Sequence, residues 1–126
     1  MTHDNRFPRQ ARLLNSRAYT QVFSDVQFKT GNRHLLMLAS PTRALESSRS
    51  RLGIIIARKH VKRATDRNRI KRLVRESFRH RQDDIPDLDV IVLARPGIGT
   101  LDNQQLYQQL DRLWNKLRHQ VDSTSH

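Results

Sequence analysis

The feature that most constrains this chain is a helix caught between two strands. "RLGIIIAR", Arg51 to Arg58, is β-branched in its middle and predicts a buried strand. "LDVIVLA", Leu88 to Ala94, predicts another. Between them Ile70, Leu73, Val74 and Phe78 recur at helical spacing. With Ile70 at 0° and about 100° per residue, Ile70, Leu73, Val74, Ser77 and Phe78 fall between roughly 300° and 80°. Asn68, Lys71, Arg72, Arg75 and Arg79 fall between about 100° and 200°. One face is built to pack, and the other is a row of cations with one amide. The result is a β-α-β unit whose strands are either parallel neighbours or flank another strand.

The rest of the chain supplies partners for that unit. "LLNSRAYTQVFSDV" predicts a short helix, capped by Asn15 or Ser16, with Leu13 and Leu14 as a staple before it. Ala18, Tyr19, Val22, Phe23 and Val26 share its broad face. "QFKTGNRHLLMLAS" reads as strand, turn, strand, and "PTRALESSRS" as a loop that opens at Pro41. The basic helix breaks before Pro86. Thr100 is a candidate cap for a closing helix in which Leu106, Leu110, Leu113, Leu117 and Val121 recur beside Trp114. The order α-β-β-β-α-β-α gives a single α+β domain, a small central sheet packed with helices. Its expected bounds are 13–121, after a flexible basic arm over 1–12 and before a disordered tail over 122–126.

Charge indicates what such a domain meets. From Ala57 to Arg81 there are eleven Lys or Arg residues against two acids, Asp66 and Glu76. A solvated face laced with ion pairs fails on that count. The whole chain has 24 basic residues, 19 of them Arg, against 12 acids, for a net charge of +12. Arginine's planar fork suits phosphate and stacks on bases, so the expected partner is a polyanion, nucleic acid above all. There is no Cys, which excludes disulfides and thiolate metal sites. No apolar run approaches the ~18 residues of a membrane span, and the N-terminus has no secretory apolar core. The reading is a cytoplasmic protein with no membrane partner.

Arg58-Lys59, Arg67-Asn68-Arg69, Ile70, Lys71-Arg72 and Arg75 resemble the signature of the protein subunit of bacterial ribonuclease P. The resemblance runs from about Leu14 to Leu117 and includes the strand order and the "VIVLAR" strand. It departs where His60-Val61-Lys62-Arg63 stands after the basic pair, since Gly often follows there, and where Tyr19 stands in place of a common Phe. The resemblance implies a left-handed β-α-β crossover, against the usual right-handed rule. It also implies removal of the 5′ leader from precursor tRNA, with catalysis by the RNA subunit and its Mg²⁺ ions. This chain then has no catalytic and no metal residues of its own. Its partners are the RNA subunit and precursor tRNA, one protein per RNA with no obligate homo-oligomer. The RNA-subunit contacts it implies are Arg58, Lys59, Lys62, Arg63, Arg67, Asn68, Arg69, Lys71, Arg72 and Arg75. The leader is expected in a cleft between the first helix and the sheet, at Tyr19 and Phe23 with Arg58 and Lys59. Rings four apart on a helix can line one groove edge and stack on unpaired bases.

Other signals are weaker. His3, His34, His60, His80, His119 and His126 show no nucleophile, base or metal spacing, and His60 and His80 flank the basic helix as further RNA contacts. Asp83, Asp84, Asp87 and Asp89 can hold Mg²⁺ but read better as a solvated loop. "PGIGT" reads as a loop rather than an anion site. A structural ribosomal-type RNA-binding protein is the alternative function. A DNA-binding regulator is a third, though no dimer seam accompanies the basic helix.

Overall fold

The run Leu88–Ala94 is buried at every position but Leu93, because of its place in the sheet. In the computed structural model, which describes residues 12–13, 15–41, 50–85 and 88–124, three helices and four strands follow the expected order. They are α1 Ser16–Ser24, β1 Phe28–Gly31, β2 Leu35–Pro41, β3 Arg51–Ile55, α2 Ala64–Arg81, β4 Leu88–Ala94 and α3 Asn103–Thr124. The sheet order is β1-β2-β4-β3. β4 pairs antiparallel with β2 from Leu35↔Ala94 to Pro41↔Leu88, and parallel with β3 from Arg51↔Asp89 to Ile55↔Leu93. The strands of the β-α-β unit are therefore parallel neighbours.

Alternation along the strands assigns the two faces. Leu35, Met37, Ala39, Leu52, Val90 and Val92 enter the main core with Ile70, Val74 and Phe78 of α2 and the leucines of α3. Trp114 lies in that core, with its ring centroid 5.7 Å from that of Phe78. Its indole Nε1 donates to Ser77 Oγ at 2.7 Å, so Ser77 serves the packed face as a buried acceptor. On the opposite face Ile91 packs with Leu13 and Val22 of the α1 region.

Several element ends differ from the expected ones for local reasons. The start of α1 is as expected, with Asn15 of the two candidate caps accepting at Oδ1 from Ala18 N at 2.9 Å. α3 is capped by Asp102 rather than Thr100. Asp102 Oδ1 accepts from Gln105 N while Gln105 Oε1 accepts from Asp102 N, a reciprocal box that Thr100 is too far upstream to make. The Thr100 hydroxyl instead donates to Gly97 O, in a turn where Gly97 has φ 89°. Pro41 ends β2 opposite Leu88 instead of opening a loop; a terminal proline costs the ladder little. β3 stops at Ile55, short of Arg58. α3 continues to Thr124, so residues 122–124 are helical and not a disordered tail. Arg12, expected in the arm, bridges Leu52. The rest of the arm, Leu14, most of the loop after Pro41, Pro86, Asp87 and the last two residues lie outside the described residues.

Asp89 is not part of a solvated loop but a buried residue of β4. Arg51 Nε donates to Asp89 Oδ1 at 2.9 Å and Nη2 to Oδ2 at 2.6 Å, across the β3–β4 register. The side chains are only 18% and 5% exposed. The Asp89 hydrogen bond raises the Arg51 pKa above its usual value, against the opposing effect of burial. Asp89→Asn keeps the shape and removes the charge from a charge-assisted pair. Loss of roughly 1–3 kcal/mol of stability is expected in equilibrium urea unfolding. Asp122→Asn, in an exposed pair with Arg118 at 3.8 Å, is the control and should stay within about 0.5 kcal/mol of the parent.

Candidate nucleic-acid interface

α2 is rigid because one side is immersed. Ile70, Leu73, Val74, Ser77 and Phe78 are all buried. Asn68, Arg72, Arg75 and Arg79 are exposed on the other side, with Lys71 half-buried at its border. The ion pairs among the described residues do not include Lys71, Arg72, Arg75 or Arg79. Arg58 and Lys59 are exposed in the turn after β3, and Lys62 and Arg63 lead from it into the helix. No side chain caps the first turn of α2.

Two of the expected contacts have other engagements. Arg67 Nη1 donates to Val61 O and Lys62 O, both at 2.9 Å, which ties down the loop ahead of the helix. Arg69 points away from the cationic row, and its Nη1 donates to Asn103 Oδ1 at 2.8 Å, at the start of α3. The histidines are likewise engaged within the fold. His60 Nδ1 lies 3.2 Å from Ala94 O, and His80 Nδ1 lies 2.8 Å from the Tyr107 hydroxyl. His60 and buried Val61 thus anchor the loop where a glycine was the commoner choice.

A cleft of about 260 Å³ opens where α1, the edge of β3 and α2 meet. Arg12, Leu13, Tyr19, Leu52, Ile54, Lys71 and Arg75 line it. β3 is an edge strand, and its outward polar groups need partners. Leu52 O accepts from Leu13 N at 3.0 Å, and Ile54 N donates to the Tyr19 hydroxyl at 3.2 Å. The Tyr19 ring lies so close to Gly53 that a Cβ there would come within 2.7 Å of it. Tyr19 is thus fixed at the cleft wall, half-buried, with three cations near it.

Phe23 does not line this cleft, so the two rings do not form one groove edge. It is 45% exposed on α1, which lies over β2 and β4. Leu36, Leu38 and Leu93, on the sheet face that α1 partly covers, are only half-buried. Arg12 and Gly53 are the site residues that sequence reading passed over. A glycine inside a β-branched run was a signal of close approach to its backbone.

The chain matches the ribonuclease P family over residues 7–118. It belongs to the ribonuclease P protein family. It is 46% identical over 122 residues to the ribonuclease P protein component of Chromohalobacter salexigens, covering 97% of this chain and 93% of that one. It is 44% identical over 111 residues to that of Pseudomonas aeruginosa, covering 88% and 80%. Among solved structures, the RNase P protein of Thermotoga maritima superposes with a TM-score of 0.69 at 29% identity, over 86% of this chain and 96% of that one. The RNase P protein of Staphylococcus aureus shares the fold, with a TM-score of 0.74 over 84% and 94%. Membership makes this chain a ribonuclease P protein component and sets aside the ribosomal and DNA-regulator alternatives.

The acids around the end of α2 are the candidate Mg²⁺ ligands that the sequence offers. Two of the described ones are turned to other partners. Asp89 is engaged by Arg51, and Asp84 faces Arg81 at 3.5 Å and Arg118 at 4.0 Å. No three acids or histidines converge among the described residues. Nor is any described helix long and apolar enough to cross a membrane.

Proposed function

We propose that this chain is the non-catalytic, RNA-binding subunit of ribonuclease P, working in the cytoplasm with one RNA subunit and acting on precursor tRNA. The observation that carries the reading is the cationic side of α2, made rigid by its packed side and lying beside the Tyr19 cleft. Lys71, Arg72, Arg75 and Asn68 contact RNA-subunit phosphates, with Arg58, Lys59, Lys62 and Arg63 extending the row. Arg67 and Arg69 contribute mainly by holding the helix ends in place. Mg²⁺ belongs with the RNA subunit, where the leader-removing cleavage occurs. The unpaired leader runs along the face between α1 and the sheet. Phe23 and the half-buried leucines offer apolar surface to its bases, and Arg12, Lys71 and Arg75 attract its phosphates. Arg58 and Lys59, just past β3, serve both partners.

The test is cleavage of precursor tRNA by the RNA subunit at low Mg²⁺, with and without this chain, followed by affinity for precursor and mature tRNA. Stimulation by the chain is expected, with no cleavage by the chain alone. Phe23→Ala removes an exposed ring at little expected cost in folding, whereas Tyr19→Ala also strips the Ile54 N–H of its acceptor. Losing a stacking ring costs ~1–3 kcal/mol, or roughly five- to 150-fold in affinity for precursor. Mature tRNA binding should not change. Equal loss for both substrates would remove the leader assignment, and cleavage that tracks with RNA-free protein would overturn the non-catalytic role.

A further inference from the structure

The charge on α3 is sorted by side. On the helical wheel Asp111, Arg118 and Asp122 fall opposite Gln109, on the side facing α2. There Arg81 pairs with Asp84 and Asp111, and Arg118 with Asp84 and Asp122. Arg112 and Lys116 fall on the Gln109 side, and both are exposed. That side lies along β1, the edge strand farthest from β3. Gln109 Oε1 accepts from Asn32 Nδ2 at 3.2 Å in the β1–β2 turn, and Gln120 Nε2 donates to Lys29 O at 2.9 Å. These two bonds hold the side of α3 that carries Arg112 and Lys116 along β1 and its turn, which carry exposed Lys29 and Arg33. Arg95, also exposed, joins them by donating from Nη1 to Asn32 O at 2.9 Å. None of these five cations pairs with a described acid.

We infer that this β1–α3 flank is a second RNA-docking surface, for a double-helical segment of the RNA subunit distinct from the one on α2. The inference rests on the proposed RNA-binding role. Like charges gathered on one side with the acids drawn to the other cost self-repulsion, which a polyanion relieves. The five cations form no aromatic platform, and the half-buried His34 ring among them is engaged by Gln109 Oε1 at 3.2 Å. A surface whose main offer is phosphate contact suits an A-form helix, recognised through its backbone and shape. Gln109 to Gln120 spans about 16 Å of helix, room for several phosphates. The two surfaces lie at opposite edges of the sheet, about 14 Å apart by strand spacing alone. The domain therefore clamps two RNA segments instead of resting on one.

The experiment measures affinity for the RNA subunit against salt for the parent, for Arg33→Ala/Lys116→Ala, and for Arg72→Ala/Arg75→Ala. Two lost phosphate contacts should reduce the drop in affinity between 50 and 200 mM salt by roughly tenfold in each double variant. Circular dichroism confirms that each variant folds. A second measurement places an iron chelate on the thiol of Lys116→Cys or of Arg79→Cys, a clean label because the chain has no other cysteine. Radical cleavage should fall on different duplex segments of the RNA subunit in the two cases. A parental salt dependence for the flank variant with a reduced one for the α2 variant would overturn the second surface alone. So would cleavage of the same nucleotides from both positions, or none from position 116. Parental behaviour in both double variants would overturn the α2 assignment and this inference together.

Discussion

Reversing Arg72 and Arg75 together to Glu is expected to weaken binding to the RNA subunit by roughly 10³- to 10⁴-fold at 0.1 M salt. Each phosphate contact contributes a factor near [salt]^−0.9, or about eightfold at that concentration. Losing two contacts gives roughly 60-fold, and opposing each phosphate with a carboxylate adds a repulsion of similar size, an estimate on the same counterion basis. Both side chains are exposed and neither belongs to the buried face of α2, so the fold should persist. The measurement is a filter-binding or fluorescence titration at several salt concentrations, with far-ultraviolet circular dichroism on the same samples. Affinity within a few-fold of the parent in a folded variant would remove this helix face from the interface. The Arg72→Ala/Arg75→Ala variant should lie between the two.

Trp114→Ala is expected to cost about 3–5 kcal/mol by truncation alone, and the buried Ser77 hydroxyl it strands adds roughly 1–3 kcal/mol. Trp114 is fully buried between α3 and α2, against Phe78 and bonded to Ser77. A domain of this size has only about 5–15 kcal/mol in total, so the variant should be partly unfolded near 37 °C. Trp114→Phe separates the two terms, because it restores most of the volume but not the donor. Urea unfolding should rank parent, Trp114→Phe and Trp114→Ala in falling stability. Equal stability for Trp114→Phe and parent would show that the indole–Ser77 bond contributes nothing net. RNA affinity extrapolated to the folded fraction should be unchanged, since Trp114 touches only the core side of α2.

Periodicity made much of this legible in advance. The packed stripe Ile70, Leu73, Val74, Ser77 and Phe78 and the cationic row opposite it follow from 3.6 residues per turn, which sequence spacing encodes directly. β4 was readable for the same reason: a run apolar on both faces has few places to go but the middle of a sheet. The cap of α3 was misplaced because Thr100, Asp102 and Asn103 are all capping types, and only the path of the chain through Gly97 decides among them.

What the sequence determined by itself is therefore local and periodic: helix faces, strand runs, the excess of Arg and the family signature. The tertiary structure decided which cations remain available for RNA. Arg67 and Arg69 belong to the same motif as Arg72, yet their guanidiniums hold a loop and the start of α3. It also brought Arg12, Tyr19 and Lys71 to one cleft, set Gly53 against the Tyr19 ring, and made Asp89 the buried partner of Arg51. Apart from Arg67, whose partners lie five and six residues upstream, those assignments depend on contacts between residues tens of positions apart, set by sheet order and helix docking. No local spacing carries that information.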